Sequence, residues 1–254
     1  MALALSSINV LISAVFTAVV FRQWIQRRKL QQLLWSFALL VWTIAVAAEL
    51  SATIQGEWTA FTYRIHYAFG ALMVAPWLGA GSLFLIASRW LAKGFVIFVA
   101  ALSLVGVILI AVSSVDASRL TFLDSLGFVE VKIFPLIPVR LLIIIGNALG
   151  SLAFVGSALY SVWSLWRRDV PRQLTIGVLL IGVGGLVAAT AHSIGALGGP
   201  GLFRVSELAA ISLIFGGYVL STFFVRPVLW PRSPPDTGAG PANSDRTADF
   251  PAQD

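Results

Sequence analysis

Residues 1–29, MALALSSINVLISAVFTAVVFRQWIQRRK, decide the fold class. No charged side chain occurs from Met1 to Phe21, and then Arg22, Arg27, Arg28 and Lys29 follow within one short segment. A run of about 20 apolar residues is what a helix needs to cross the hydrocarbon core of a bilayer. A cleaved signal peptide carries its positive charge before the apolar run. Here the charge comes after it, so the stretch reads as a retained first span with its amino terminus translocated.

Working outward, the same pattern recurs six times. Apolar runs at 33–53, 65–87, 94–114, 139–164, 174–196 and 203–225 join a first run at 3–21, which predicts an all-α bundle of seven transmembrane helices. Composition agrees: 58% of the 254 residues are hydrophobic and 11% are charged, against roughly 25% charged in soluble domains. Orientation follows from Lys and Arg in the short loops. The first, third and fifth loops and the carboxyl-terminal segment hold 12 of the 17 basic residues, which predicts N-out, C-in. The net charge of +6 is therefore a topology signal, and nucleic acid is not an expected partner. Cysteine is absent, which excludes disulfides, thiolate metal sites and cysteine nucleophiles.

Two segments stand apart from the spans. The connection from Ser113 to about Val139 contains an amphipathic stretch, Leu120 to Phe134, open to reading as an interfacial helix or as a loop packed on the helix ends. Residues 231–254, PRSPPDTGAGPANSDRTADFPAQD, are rich in Pro, Gly, Ala and Asp and predict a disordered cytoplasmic tail.

Ionisable groups inside a bilayer are costly and mark function. Glu49 closes the second span; Arg64, His66 and Tyr67 open the third; Asn147 lies in the first half of the fifth. His192 closes the sixth, and Arg204 and Glu207 open the seventh. With N-out topology all eight fall in the outer half, while the inner half reads as almost purely apolar. The pattern predicts an outward-opening polar pocket over an apolar plug. Trp35, Trp42 and Glu49 recur every seven residues on one face; Tyr63, His66, Tyr67, Gly70, Val74 and Trp77 form a stripe; Asn147 and Ser151 are four apart.

Plainer readings are open beside these. Glu49 with Arg64, and Arg204 with Glu207, are each also compatible with a local ion pair at the water boundary. His66 and His192 lie at similar depths, and two imidazoles across a bundle are a haem ligand set; a hydrogen-bonded structural histidine is the commoner arrangement. The seventh span holds no lysine, so a retinal Schiff base there is excluded. Pro76 frees a backbone carbonyl, and with Gly79 and Gly81 it marks a hinge or a packing kink. Gly146 and Gly150 form a GxxxG that could pack inside the bundle or support a homo-oligomer. No HExxH, GxSxG or P-loop is present, and an enzyme is not expected.

Between Phe37 and Leu85 the chain reads Trp42, then AVAAELS with Glu49, then Trp58, then YRIHYAFGALMVAPWLGAGSLFL with Tyr67, Gly70, Pro76 and Leu78. This segment resembles the seven-helix sensory module at the amino terminus of many bacterial histidine kinases and diguanylate cyclases. The resemblance implies an outward-facing sensor in a bacterial cytoplasmic membrane, with a separate signalling partner because no kinase or cyclase domain follows here. The expectation is a multi-pass sensor or small-molecule-binding protein. A transporter or channel, or an assembly subunit of a membrane complex, is the alternative.

Overall fold

The computed structural model describes the backbone of residues 2–120, 133–168 and 170–223, with the side chains of 117 and 192–200 left aside. Seven helices are long and apolar enough to cross a membrane: α1 (Ala2–Arg27), α2 (Leu30–Gln55), α3 (Ala60–Ile86), α4 (Arg89–Val112), α5 (Leu136–Trp166), α6 (Arg172–Ala191) and α7 (Gly201–Phe223). The chain is a multi-pass membrane protein. Most of the amphipathic stretch after Leu120 and the whole segment 231–254 lie outside the described residues.

The helices outrun the apolar windows because caps, and not hydropathy, set their ends. Thr59 and Thr62 form a reciprocal capping box that starts α3 at Ala60, five residues before the apolar run. The Ser88 side chain accepts from the Leu91 N–H and starts α4. Gly56, with φ of 74°, ends α2 in the left-handed conformation that glycine alone adopts without strain. Helical geometry runs from Arg172 to Phe223, yet Gly177 lies against Gly217 and Ser221, and Gly184 against Ala210 and Ile214. A straight helix of that length would hold those residues tens of ångströms apart at about 1.5 Å per residue. The chain therefore reverses between α6 and α7, which pack antiparallel.

The surface is inverted relative to a soluble protein. Leu11, Ile97, Leu104 and Leu152 are each more than 60% exposed, whereas Ser6, Asn9, Gln32 and Glu49 are buried. Lipid can solvate the first set but not the second. α2 and α3 form the centre of the bundle, each about half buried. One apolar cluster, with Trp58, Tyr63, Leu72, Ile110 and Phe134, joins α3, α4 and the start of α5. A second, with Phe16, Leu39, Trp42, Phe154 and Ile211, joins α1 and α2 to α5 and α7.

Glycine sets the α3–α5 crossing. A Cβ on Gly79 would lie 2.5 Å from the Gly150 carbonyl, and one on Gly150 would lie 2.5 Å from the Ala75 carbonyl carbon and the Pro76 nitrogen. These are backbone-to-backbone contacts of the kind small residues permit. Gly146 faces Leu102 of α4 and Pro76. The GxxxG of α5 is thus occupied within the chain, and this packing leaves neither glycine for a second copy.

Candidate functional site

α3 is not a uniform α-helix. His66–Met73 forms a π-helical stretch, and Pro76 follows three residues later. Pro76 has no N–H, so a carbonyl four or five residues upstream loses its ladder partner. Asn147 of α5 supplies one instead, its Nδ2 donating to the Ala71 carbonyl at 2.8 Å. Of the expected stripe, His66, Gly70 and Val74 face one cavity, while Tyr67 turns to Tyr63 and Phe134.

The buried charges sit at the end of the bundle where α1 begins. Glu49, 1% exposed, is six residues from the end of α2, about 9 Å along the axis. Arg204 of α7 donates from Nε to Glu49 Oε1 at 2.5 Å, and Ser6 of α1 donates to the same oxygen at 3.3 Å. Glu207, one turn further along α7, accepts from Asn9 Nδ2 at 3.1 Å. A charge buried in this way needs an opposite charge and hydrogen bonds, and three helices contribute them. His66 Nδ1–H donates to the Ala45 carbonyl of α2 at 3.1 Å, and its ring meets Trp58 edge-on at 5.4 Å.

Beside this cluster lies a cavity of about 120 Å³ between α2, α3, α5, α6 and α7. His66, Asn147, Ser151, Glu207 and Trp42 supply its polar groups. Alanines and the Phe154 ring supply much of the rest. Trp42 is 4% exposed, and its indole N–H has no hydrogen-bond partner among the described residues. Asn9 Oδ1 is likewise buried without a partner.

The expected residues therefore divide. His66, Asn147 and Glu207 line the cavity, and Glu49 and Arg204 form the ion pair next to it. Arg204 pairs across the bundle, with Glu49 of α2. Arg64 is elsewhere: it donates to the carbonyls of Ile110 at 3.3 Å and Ser113 at 2.8 Å, capping the end of α4. The alternative reading, an ion pair between Arg64 and Glu49, does not form; Glu49 pairs with Arg204. Tyr67 stacks with Tyr63 and Phe134, at ring distances of 5.5 and 5.0 Å, and so belongs to an aromatic cluster. The His192 side chain lies outside the described residues. A haem macrocycle far exceeds a cavity with room for roughly ten water-sized groups, so the residues present do not fit it.

The expectation of an apolar inner half is corrected. Gln23 Oε1 accepts from Gln32 Nε2 at 2.7 Å and from the Tyr218 hydroxyl, and Trp35 donates to Ser82 at 3.2 Å. Gln32 Oε1 is buried without a partner. These carboxamides sit at the ends of α1 and α2 beside the basic loop, and hydropathy windows that stop at Phe21 and resume at residue 33 exclude them. Trp42 was legible as a face-sharing residue of Glu49, but its cavity role was not. Ser6 and Asn9 lie three residues apart on α1, and their partners, Glu49 and Glu207, are on other helices, where sequence spacing does not identify them.

Compared with known proteins, the chain matches no family model, no curated protein and no solved structure.

Proposed function

We propose that the protein is a membrane receptor that binds a small molecule in the cavity beside the Glu49–Arg204 pair. One observation carries this reading: Trp42, whose buried indole N–H has no partner among the described residues, lines a cavity that other polar groups also line. An orphaned donor in a dry interior costs about 1–3 kcal/mol, and a ligand acceptor would remove that cost. Receptor activity, an N-out orientation and a separate signalling partner in a bacterial cytoplasmic membrane form one consistent proposal. The resemblance to kinase and cyclase sensory modules supports it, as does the bias of basic residues toward one set of loops.

Native mass spectrometry of the purified protein tests the binding. The expected result is a small molecule that is retained by the wild type and lost on Trp42→Phe, with the fold intact by circular dichroism. A ligand-free protein that moves a solute across proteoliposomes would replace the receptor reading with transport. The cysteine-free chain makes the orientation test direct. A membrane-impermeant thiol reagent should label Glu57→Cys in intact cells and label Lys29→Cys only after permeabilisation; the reverse pattern inverts the topology.

A further inference from the structure

Trp42, Asn147, Ser151 and Glu207 line the cavity, and each keeps a polar group that its protein partners do not occupy. The Trp42 indole N–H has no partner among the described residues. The Ser151 hydroxyl makes no hydrogen bond among them either. Asn147 gives one amide N–H to the Ala71 carbonyl, which leaves its oxygen and a second N–H. Glu207 accepts from Asn9 at Oε2, which leaves Oε1. His66 is already engaged, through Nδ1 with the Ala45 carbonyl and through its ring with Trp58. The open groups are therefore mixed in kind. Trp42 can only donate, the Glu207 carboxylate can only accept, and Ser151 and Asn147 can do either. Among the described residues no lysine or arginine lines the cavity. An anion there would face the Glu207 carboxylate without a counter-charge, and an ammonium would give the Trp42 N–H nothing to bond.

We infer that the cavity takes a small neutral alcohol, a hydroxyl on an apolar body. This rests on the binding reading above and specifies its ligand. A hydroxyl accepts and donates through one oxygen. It can take the Trp42 N–H and give its own proton to an acceptor on α5 or α7. The Trp42 and Phe154 rings, with the alanines, provide an apolar wall for the body. Size limits the ligand as well. A water needs about 10–15 Å³, so a cavity of about 120 Å³ admits on the order of ten non-hydrogen atoms.

The test pairs 2-phenylethanol with propylbenzene, in which a methyl replaces the hydroxyl, on the full-length protein in detergent. Isothermal titration calorimetry compares each probe between the wild type and Trp42→Phe, so that partition into detergent cancels. Loss of the indole donor predicts roughly tenfold weaker binding of the alcohol, with propylbenzene losing much less. A second measurement needs no variant. In the wild type labelled with 15N-tryptophan, one of the nine indole N–H resonances should move downfield with the alcohol and not with propylbenzene. Equal losses for both probes in Trp42→Phe, or no alcohol-specific shift in the wild type, would overturn the alcohol assignment and leave the binding site standing. So would 2-phenylethylammonium or phenylacetate binding the wild type as tightly as the alcohol. Failure of all four probes to bind would overturn both.

Discussion

Removing the Glu49 carboxylate should be among the most destabilising single changes in this protein. Glu49 is 1% exposed and receives Arg204 Nε at 2.5 Å and Ser6 Oγ at 3.3 Å. Glu49→Ala takes the Glu49 carboxylate away from a guanidinium that is itself 8% exposed, inside the bundle. Breaking one side of a buried pair costs about 3–5 kcal/mol. An ordinary side-chain hydrogen bond between membrane helices averages about 0.6 kcal/mol. The two figures separate two views of the pair, as a necessary charge compensation or as one polar contact among many. Glu49→Gln should fall between them, since an amide oxygen still accepts from Nε. The double variant Glu49→Leu/Arg204→Leu removes both charges, and should lose less stability than either single leucine variant. Unfolding by sodium dodecyl sulfate in mixed micelles, followed by far-ultraviolet circular dichroism, measures each of these variants. If the single costs sum to the double within about 0.5 kcal/mol, or if Glu49→Ala costs no more than Ser6→Ala, charge compensation is refuted.

Gly150→Ala places a methyl 2.5 Å from the α3 backbone and should lower stability by about 1–3 kcal/mol, whereas Gly156→Ala meets nothing within 4 Å and should be neutral or stabilising; the same unfolding assay reads both. Asn147→Leu withdraws the donor from the Ala71 carbonyl next to Pro76 and should cost about 1–3 kcal/mol, with slower hydrogen exchange in the wild-type α3 than in the variant. Outside the spans, Asp116 accepts from the Ser118 hydroxyl at 2.5 Å and backbone N–H at 3.1 Å, which holds its carboxyl below the ordinary value. A depressed folded pKa means the local turn is favoured above the unfolded pKa and loses that preference as pH falls through the folded one. Ser118→Ala should raise the Asp116 titration midpoint, as followed by carboxyl-carbon NMR; an unchanged midpoint would show that the hydroxyl contributes nothing.

Seven spans could be read from the sequence because crossing a bilayer is a local requirement. Each helix must satisfy its own backbone and present apolar side chains to lipid, and both demands are written in about 20 consecutive residues. That locality also placed the costly groups, since a Glu or Arg within an apolar run stands out wherever it points. Asn147 and Ser151, four apart on one helix, proved to line the same cavity for that reason. Partnership is not local. Glu49 meets Arg204 across 155 positions and Asn9 meets Glu207 across 198, while Arg64, nearer to Glu49 in the chain, turns away to cap α4. On α3, His66, Gly70 and Val74 share the cavity as their spacing predicts, while Tyr67 leaves that face for Tyr63 and Phe134. The close α3–α5 crossing through Gly79 and Gly150 fixed where Asn147 could reach. The sequence by itself determined how many times the chain crosses and which groups are expensive to bury. Only the tertiary structure decided which of those groups compensate one another, because that depends on helix rotation and crossing, set by packing between segments far apart in the chain.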